Sequence, residues 1–279
     1  MMKKVLLMML CSTFLSCTVQ QLKIAKRDAS ALSGSQFSKS IADTSLTLET
    51  REQIIFEEIK NGNVPDFFRK LATIDVTQTI NGKLYHLSYQ VAPDYLLIGN
   101  DEDFFYTPTT PMLAQKIANL SKAMLPTKKM VDDIYFNALI KLAPQPIPPS
   151  KLMTTVPVFI AHNNIVIKQL DSLKKRHLRS ELTAGNKKDI IISNKIYGQP
   201  TPRVVIYGWH KLDGKAIQPV YNKHTNTWAD YSHGVRLVLN DAILNGKKVR
   251  LADILKDPVL HVLLSDEGVI ANATYPIAN

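Results

Sequence analysis

Apolar residues along this chain recur first at helical and then at strand spacing, and turn residues mark each change of period. Leu48, Ile54, Ile55 and Ile59 form an i, i+3/i+4 stripe that predicts a helix over 45–60, with Gly62 able to close it in the left-handed region. Two alternating runs, Ile74 to Thr77 and Leu84 to Leu87, flank Asn81-Gly82 and predict a hairpin over 73–91 with a type I′ turn. Tyr95 to Ile98 reads as a further strand. Thr110-Pro111 opens a helix reaching about Met124, with proline in its first turn. Pro126-Thr127 opens another, reaching about Leu142, with Met130, Val131, Ile134, Tyr135 and Ala138 on one face.

Ala143 to Pro149 carries four prolines and breaks regular structure, so 143–150 is the candidate subdivision, as a linker or as a packed extended crossing. Beyond it, 158–178 is a candidate helix and the remainder is strand-rich. Strands are expected over 189–193, 203–209, 216–220 and 234–239, then a short helix over 251–255 and a strand or tail from Pro258. No internal repeat appears. Helices and a hairpin followed by a strand-rich C-terminal half predict an α+β fold, read as one compact body over 45–279.

The first residues follow a different logic. Met1-Met2-Lys3-Lys4 is a basic start, and the apolar stretch from Val5 through Leu15 ends in Ser16-Cys17. This layout predicts a signal peptide over 1–16, too short to span a bilayer, and resembles a bacterial lipoprotein signal. The resemblance implies cleavage before Cys17, acylation of its thiol and an exported, membrane-anchored protein. Phe14 departs from the usual leucine three positions before the cysteine. Residues 17–44, rich in Ser, Ala, Lys and Gln, are expected to form a tether.

Composition narrows the chemistry. Both cysteines, Cys11 and Cys17, lie in or beside the signal, so the body has no disulfide, cysteine zinc site or cysteine nucleophile. Loss of Lys3 and Lys4 leaves 32 of the 34 basic residues against 24 acidic ones. That excess suits anionic envelope polymers or lipid headgroups; the Lys and Arg are scattered and no nucleic-acid-binding spacing is present, so nucleic acid is not an expected partner. No nucleotide-binding loop or GxSxG elbow occurs.

Polar residues that can carry chemistry concentrate between Asn186 and Arg236. Three of the seven histidines, His210, His224 and His233, fall within this stretch beside Asp230, Ser232 and Arg236. In one reading His210 and His233 serve as acid–base groups, Asp230 orients an imidazole, and Lys188 or Arg236 stabilises an oxyanion. Trp209, Tyr231 and Gln218 are the candidate substrate-binding residues. In a second reading His210, His224 and His233 ligate zinc, which would polarise a water; no HExxH-type spacing is present. In a third, the same residues only pack and cap.

Ser232-His233-Gly234-Val235-Arg236 looks like the active-site stretch of L,D-transpeptidases, but Val235 occupies the place of the catalytic cysteine, so that chemistry is not available. Trp209-His210 and His233-Gly234 are similar to segments of zinc D-Ala-D-Ala peptidases, whose residue order is not matched. Asn63 to Phe67, Lys187-Lys188-Asp189, Tyr207 to His210 and Asp230 to Gly234 together resemble a group of uncharacterised bacterial secreted proteins. That resemblance implies one folding unit and no activity. The expectation is an exported, lipid-anchored hydrolase of an envelope polymer such as peptidoglycan, with a His/Asp site and possible zinc. The alternative is a non-catalytic lipoprotein that binds peptidoglycan or an envelope protein. Catalysis requires His210, His233 and Asp230 to meet in one cleft.

Overall fold

A computed structural model describes residues 22–173 and 180–277. The signal peptide, Cys17 and the end of the helix expected over 158–178 lie outside the described residues.

The fold is α+β. In chain order it runs α1 (Gly34–Ser40), α2 (Leu48–Lys60), β1 (Ala72–Ile80), β2 (Lys83–Val91), β3 (Leu97–Gly99), β4 (Phe104–Tyr106), α3 (Pro111–Leu120) and β5 (Ala123–Met124). It continues through α4 (Lys128–Asn137), β6 (Ile140–Lys141), α5 (Val156–Leu173), β7 (Thr183–Ala184), β8 (Lys188–Ile190), β9 (Ile206–His210) and β10 (Ala216–Tyr221). The last elements are β11 (His233–Gly234), β12 (Val238–Leu244), β13 (Lys247–Arg250) and α6 (Leu251–Lys256). None of the described helices is long and apolar enough to cross a membrane.

Local chemistry accounts for most boundaries. Thr47, Thr110 and Thr127 cap α2, α3 and α4 with their hydroxyls, and Pro111 occupies the first turn of α3. Asn81 and Gly82 both have positive φ, as the type I′ turn between β1 and β2 requires. Asn245-Gly246 makes the same turn between β12 and β13. β13 was not expected from the sequence, and strand β12 runs over 238–244 instead of 234–239. Residues Val235 and Leu237 instead offer single carbonyls to Leu96 and Ala92.

One sheet has the order β1-β2-β12-β13, with β5 added against β12; the second has the order β10-β9-β8-β11, in which only the β8–β11 pairing is parallel. Helix α4 packs on β9, α6 on β12 and β13, and α1 on the β3–β4 pair.

Residues 22–44 are not a tether. Leu22, Phe37 and Ile41 are buried, Lys23 N–H donates to the Ser121 carbonyl, and the Arg27 guanidinium donates to Asn63, Gly99 and Ala31. The proline-rich segment is held just as firmly. Ile147 exchanges hydrogen bonds with the Tyr231 hydroxyl at 2.7 and 3.1 Å, and Gln169 clamps both backbone groups of Ala143. It runs as a packed extended crossing.

The two sheets meet at a buried charge. Arg236 is 0% exposed and donates to the carbonyls of Ala92 at 3.0 Å and Thr183 at 2.7 Å, its guanidinium lying 4.2 Å from the centre of the Tyr95 ring. Tyr95 donates to Asp189 at 2.9 Å, and Tyr106 donates to Asp94 at 2.7 Å. Burial pushes the carboxyls of Asp94 and Asp189 up to about 6, with the Arg236 charge opposing that rise in both. The expected oxyanion role of Arg236 is therefore corrected: the cation is spent on backbone carbonyls and buried carboxylates.

Replacing Arg236 by Leu is expected to lower unfolding free energy by about 3–5 kcal/mol, because it strands buried carboxylates. The loss should be larger at pH 8 than at pH 5, where Asp94 and Asp189 accept protons in the folded state. Urea titrations at the two pH values measure this; equal losses would contradict the coupling.

Candidate functional site

Strand β8 lies between two strands that carry the predicted histidines. Lys188 faces Gly208 of β9 on one side and His233 of β11 on the other, and Lys188 N–H donates to Ser232 O at 2.7 Å. The turn before β11 is built by Asp230, whose Oδ1 accepts from Ser232 N–H at 2.8 Å and Ser232 Oγ at 2.5 Å. Its Oδ2 accepts from Trp228 Nε1 at 3.2 Å. Burial alone would raise the Asp230 pKa, but the neighbouring His233 and Lys188 and the bonds from Ser232 outweigh it and hold the carboxylate at about 2.

His233 is 1% exposed and neither ring nitrogen completes a hydrogen bond to a described residue. The Thr109 carbonyl approaches the ring without completing a hydrogen bond. Burial pushes its pKa down to about 4 against the pull of Asp230, and Lys188 and His224 add to the fall. The result is a neutral imidazole beside an anion and a cation. Burying polar nitrogens without partners costs about 1–3 kcal/mol. Lys188 lies 4.8 Å over the Trp209 ring, and burial lowers its pKa. At the rim, His224 stacks on Trp228 at 4.6 Å and 8°.

His210 belongs to a different environment. Gly208 and Trp209 take φ of 106° and 58°, an irregularity in β9 after which neighbouring side chains have separate surroundings. Trp209 meets Tyr231 and Lys188, whereas His210 stacks on Tyr135 of α4 at 4.4 Å. Its Nε2 donates to Asp132 at 3.0 Å, and Asp132 also accepts from Tyr207 at 2.7 Å and Lys128 at 3.0 Å. Burial would raise the Asp132 pKa, but these three donors outweigh it and lower it. The carboxylate partner of a predicted histidine thus exists, but it is Asp132 on His210, not Asp230 on either histidine.

The expected meeting of His210, His233 and Asp230 is therefore corrected to His233, Asp230 and Lys188, with His224, Trp228 and Trp209 around them. His210 ties β9 to α4. No three His, Cys, Asp or Glu side chains among the described residues are placed to hold a metal, so His210, His224 and His233 do not form the expected zinc set. Tyr231 uses its hydroxyl on Ile147, and Gln218 sits on β10 with its amide on the Pro219 carbonyl, with two strands between it and β11. Both of these polar groups are thus turned to the protein's own backbone.

A layer beneath the site was missed in the sequence. Lys187 is 2% exposed; its Nζ donates to the Tyr231 carbonyl at 2.6 Å and to His162 Nδ1 at 3.2 Å. Burial pushes Lys187 down to about 7, against the attraction of Asp230 and Asp94, and burial beside Lys187 pushes His162 down to about 2. Trp209 Nε1 has no hydrogen-bond partner among the described residues. Gly234 lets this layer close: a Cβ there would lie 2.6 Å from atoms of both Lys187 and Tyr95. The doublet Lys187-Lys188 was the available signal, since adjacent strand residues point to opposite faces.

No protein-family model, curated protein or solved structure matches the chain.

Because Lys187 is neutral in the folded state from about pH 7 while an unfolded lysine stays protonated to about 10.5, the folded form binds fewer protons across that window and gains stability as pH rises. Relative to Lys187→Met, the wild type is expected to gain about 1 kcal/mol per pH unit between pH 7.5 and 9.5 in urea unfolding. Parallel pH profiles for the two proteins would contradict a depressed Lys187.

Proposed function

We propose that this protein is an exported, lipid-anchored hydrolase of a cell-envelope polymer, peptidoglycan being the first candidate, and that His233 is its general base. The observation that carries this reading is the neutral, unpartnered His233 imidazole between the Asp230 carboxylate and Lys188. In this scheme His233 takes a proton from a water as the water oxygen bonds to an acyl carbon. Lys188 opposes the negative charge that develops on the acyl oxygen, and Asp230 stabilises the imidazolium through space. The same proton then passes to the departing amine or alkoxide as the acyl bond breaks. Ser232 is not the nucleophile in this scheme, because its hydroxyl is given to Asp230. No step is assigned to zinc.

The export and anchor parts rest on Met1 to Cys17, and the polymer on the basic excess. A second reading, a non-catalytic lipoprotein that binds peptidoglycan or an envelope protein, draws on the stacked His224–Trp228 pair, a flat aromatic surface suited to a sugar ring.

His233→Ala is expected to cut hydrolysis of purified sacculi by about 10²–10⁴ with the melting temperature preserved, whereas His210→Ala should mainly lower the melting temperature. Unchanged turnover in His233→Ala would remove it from the mechanism, and saturable binding by a wild type with no turnover would favour recognition. Replacing Cys17 by Ser should move the protein from the membrane to the soluble fraction; continued anchoring would contradict the lipoprotein reading.

A further inference from the structure

A sizeable cavity lies away from His233. It has a volume of about 690 Å³ and is framed by the end of α3, strands β12 and β13, helix α6 and the C-terminal residues 271–274. Cavities of roughly 300–1,000 Å³ are the usual size for small-ligand sites. Its charged lining is one-sided: Lys122, Arg250 and Lys256 against Asp241 alone, with the amides of Asn119 and Asn240 between them. The three cationic side chains are exposed and make no ion pair or side-chain hydrogen bond with any described residue. Two lysines of α4, by contrast, are partnered by i, i+4 carboxylates, Lys128 by Asp132 and Lys129 by Asp133.

Its position adds a second observation. Lys23 N–H donates to the Ser121 carbonyl, one residue before Lys122, so the N-terminal strand of chain enters the body at the rim of this cavity. Leu22 is buried there, five residues after Cys17. Five residues span at most about 18 Å, so acylation of Cys17 would hold this face close to the bilayer surface.

We propose that this cavity binds a phosphate ester, met at the membrane surface as the headgroup of an anionic phospholipid. The location rests on the lipid-anchor reading; the anion chemistry does not. Lys122, Arg250 and Lys256 all line this cavity and would supply charged donors to phosphate oxygens, with the amide groups of Asn119 and Asn240 as neutral donors beside them. The backbone at Lys122 has φ 56°, just after the cap of α3.

The test uses the full chain carrying Cys17→Ser, so that no acyl group contributes and failure here leaves the anchor reading untouched. Co-sedimentation with vesicles of phosphatidylglycerol in phosphatidylcholine should exceed that with pure phosphatidylcholine by at least about tenfold at low salt. Lys122→Glu/Arg250→Glu/Lys256→Glu should remove that preference. Lys247→Glu/Lys248→Glu, which alters neighbouring charges outside the cavity, should change it no more than about twofold. Glycerol 1-phosphate, added in solution, should compete with the vesicles at the same site. Direct binding of glycerol 1-phosphate without any vesicle preference would overturn the membrane source, and equal losses in the two variants or no binding of either probe would overturn the site.

Discussion

A buried guanidinium sets the conditions under which the rest of this structure is possible. Arg236 leaves water entirely, and the protein compensates it with two backbone carbonyls, an aromatic face and two carboxylates raised to about 6 by burial. A charge in that position is stable only while those partners stay in place. It therefore fixes the relation of Ala92, Tyr95, Thr183 and β8. Two residues before Arg236, Gly234 has no room for a Cβ, so β11 is seated against Lys187 and Tyr95. The position of His233 follows from that seating.

The chemistry divides along β9. Left-handed Gly208 and Trp209 give Trp209 and His210 different surroundings, and the imidazole of β9 meets other partners than that of β11, which lies beyond β8. His210 is fully engaged, with Asp132 on its nitrogen and Tyr135 on its face. His233 is buried to a similar degree and completes no hydrogen bond to a described residue through its nitrogens, although the Thr109 carbonyl approaches the ring. A satisfied imidazole stabilises the structure; an unsatisfied one is held at a cost that ligand binding can recover. Asp230 contributes charge without a hydrogen bond to the ring, because its oxygens already close the turn that leads into β11.

Much of the fold was legible where signals were local. The threonine caps, Pro111, Asn81-Gly82 and the apolar stripe of α2 each act within a few residues, and each marks a real element. Asn245-Gly246 carries the same turn signal, yet β13 escaped notice because Lys247-Lys248-Val249-Arg250 is a short polar edge strand. Residues 22–44 read as a tether because α1 has only seven residues, too few to show a stripe, although Phe37 and Ile41 enter the core. The site was legible in part. Lys188, Asp230 and His233 lie close in sequence to motifs that stand out, whereas Asp94, Asp132 and His162 come from distant segments and acquire meaning only through tertiary contacts. Arg236 stood out correctly as unusual, but a sequence does not show whether a cation faces a cleft or the core.

The most direct test of the site is a histidine-resolved NMR titration of the folded protein, following the ring nitrogens of His233 from pH 3 to 8. A buried ring without a protein partner should stay neutral down to about pH 4. It should also show neither nitrogen shifted by a hydrogen bond to the protein. A His233 that titrates near the ordinary 6.5 of an exposed imidazole, or whose nitrogens report a bond to Asp230, would contradict a ligand-ready base and return this histidine to a structural role.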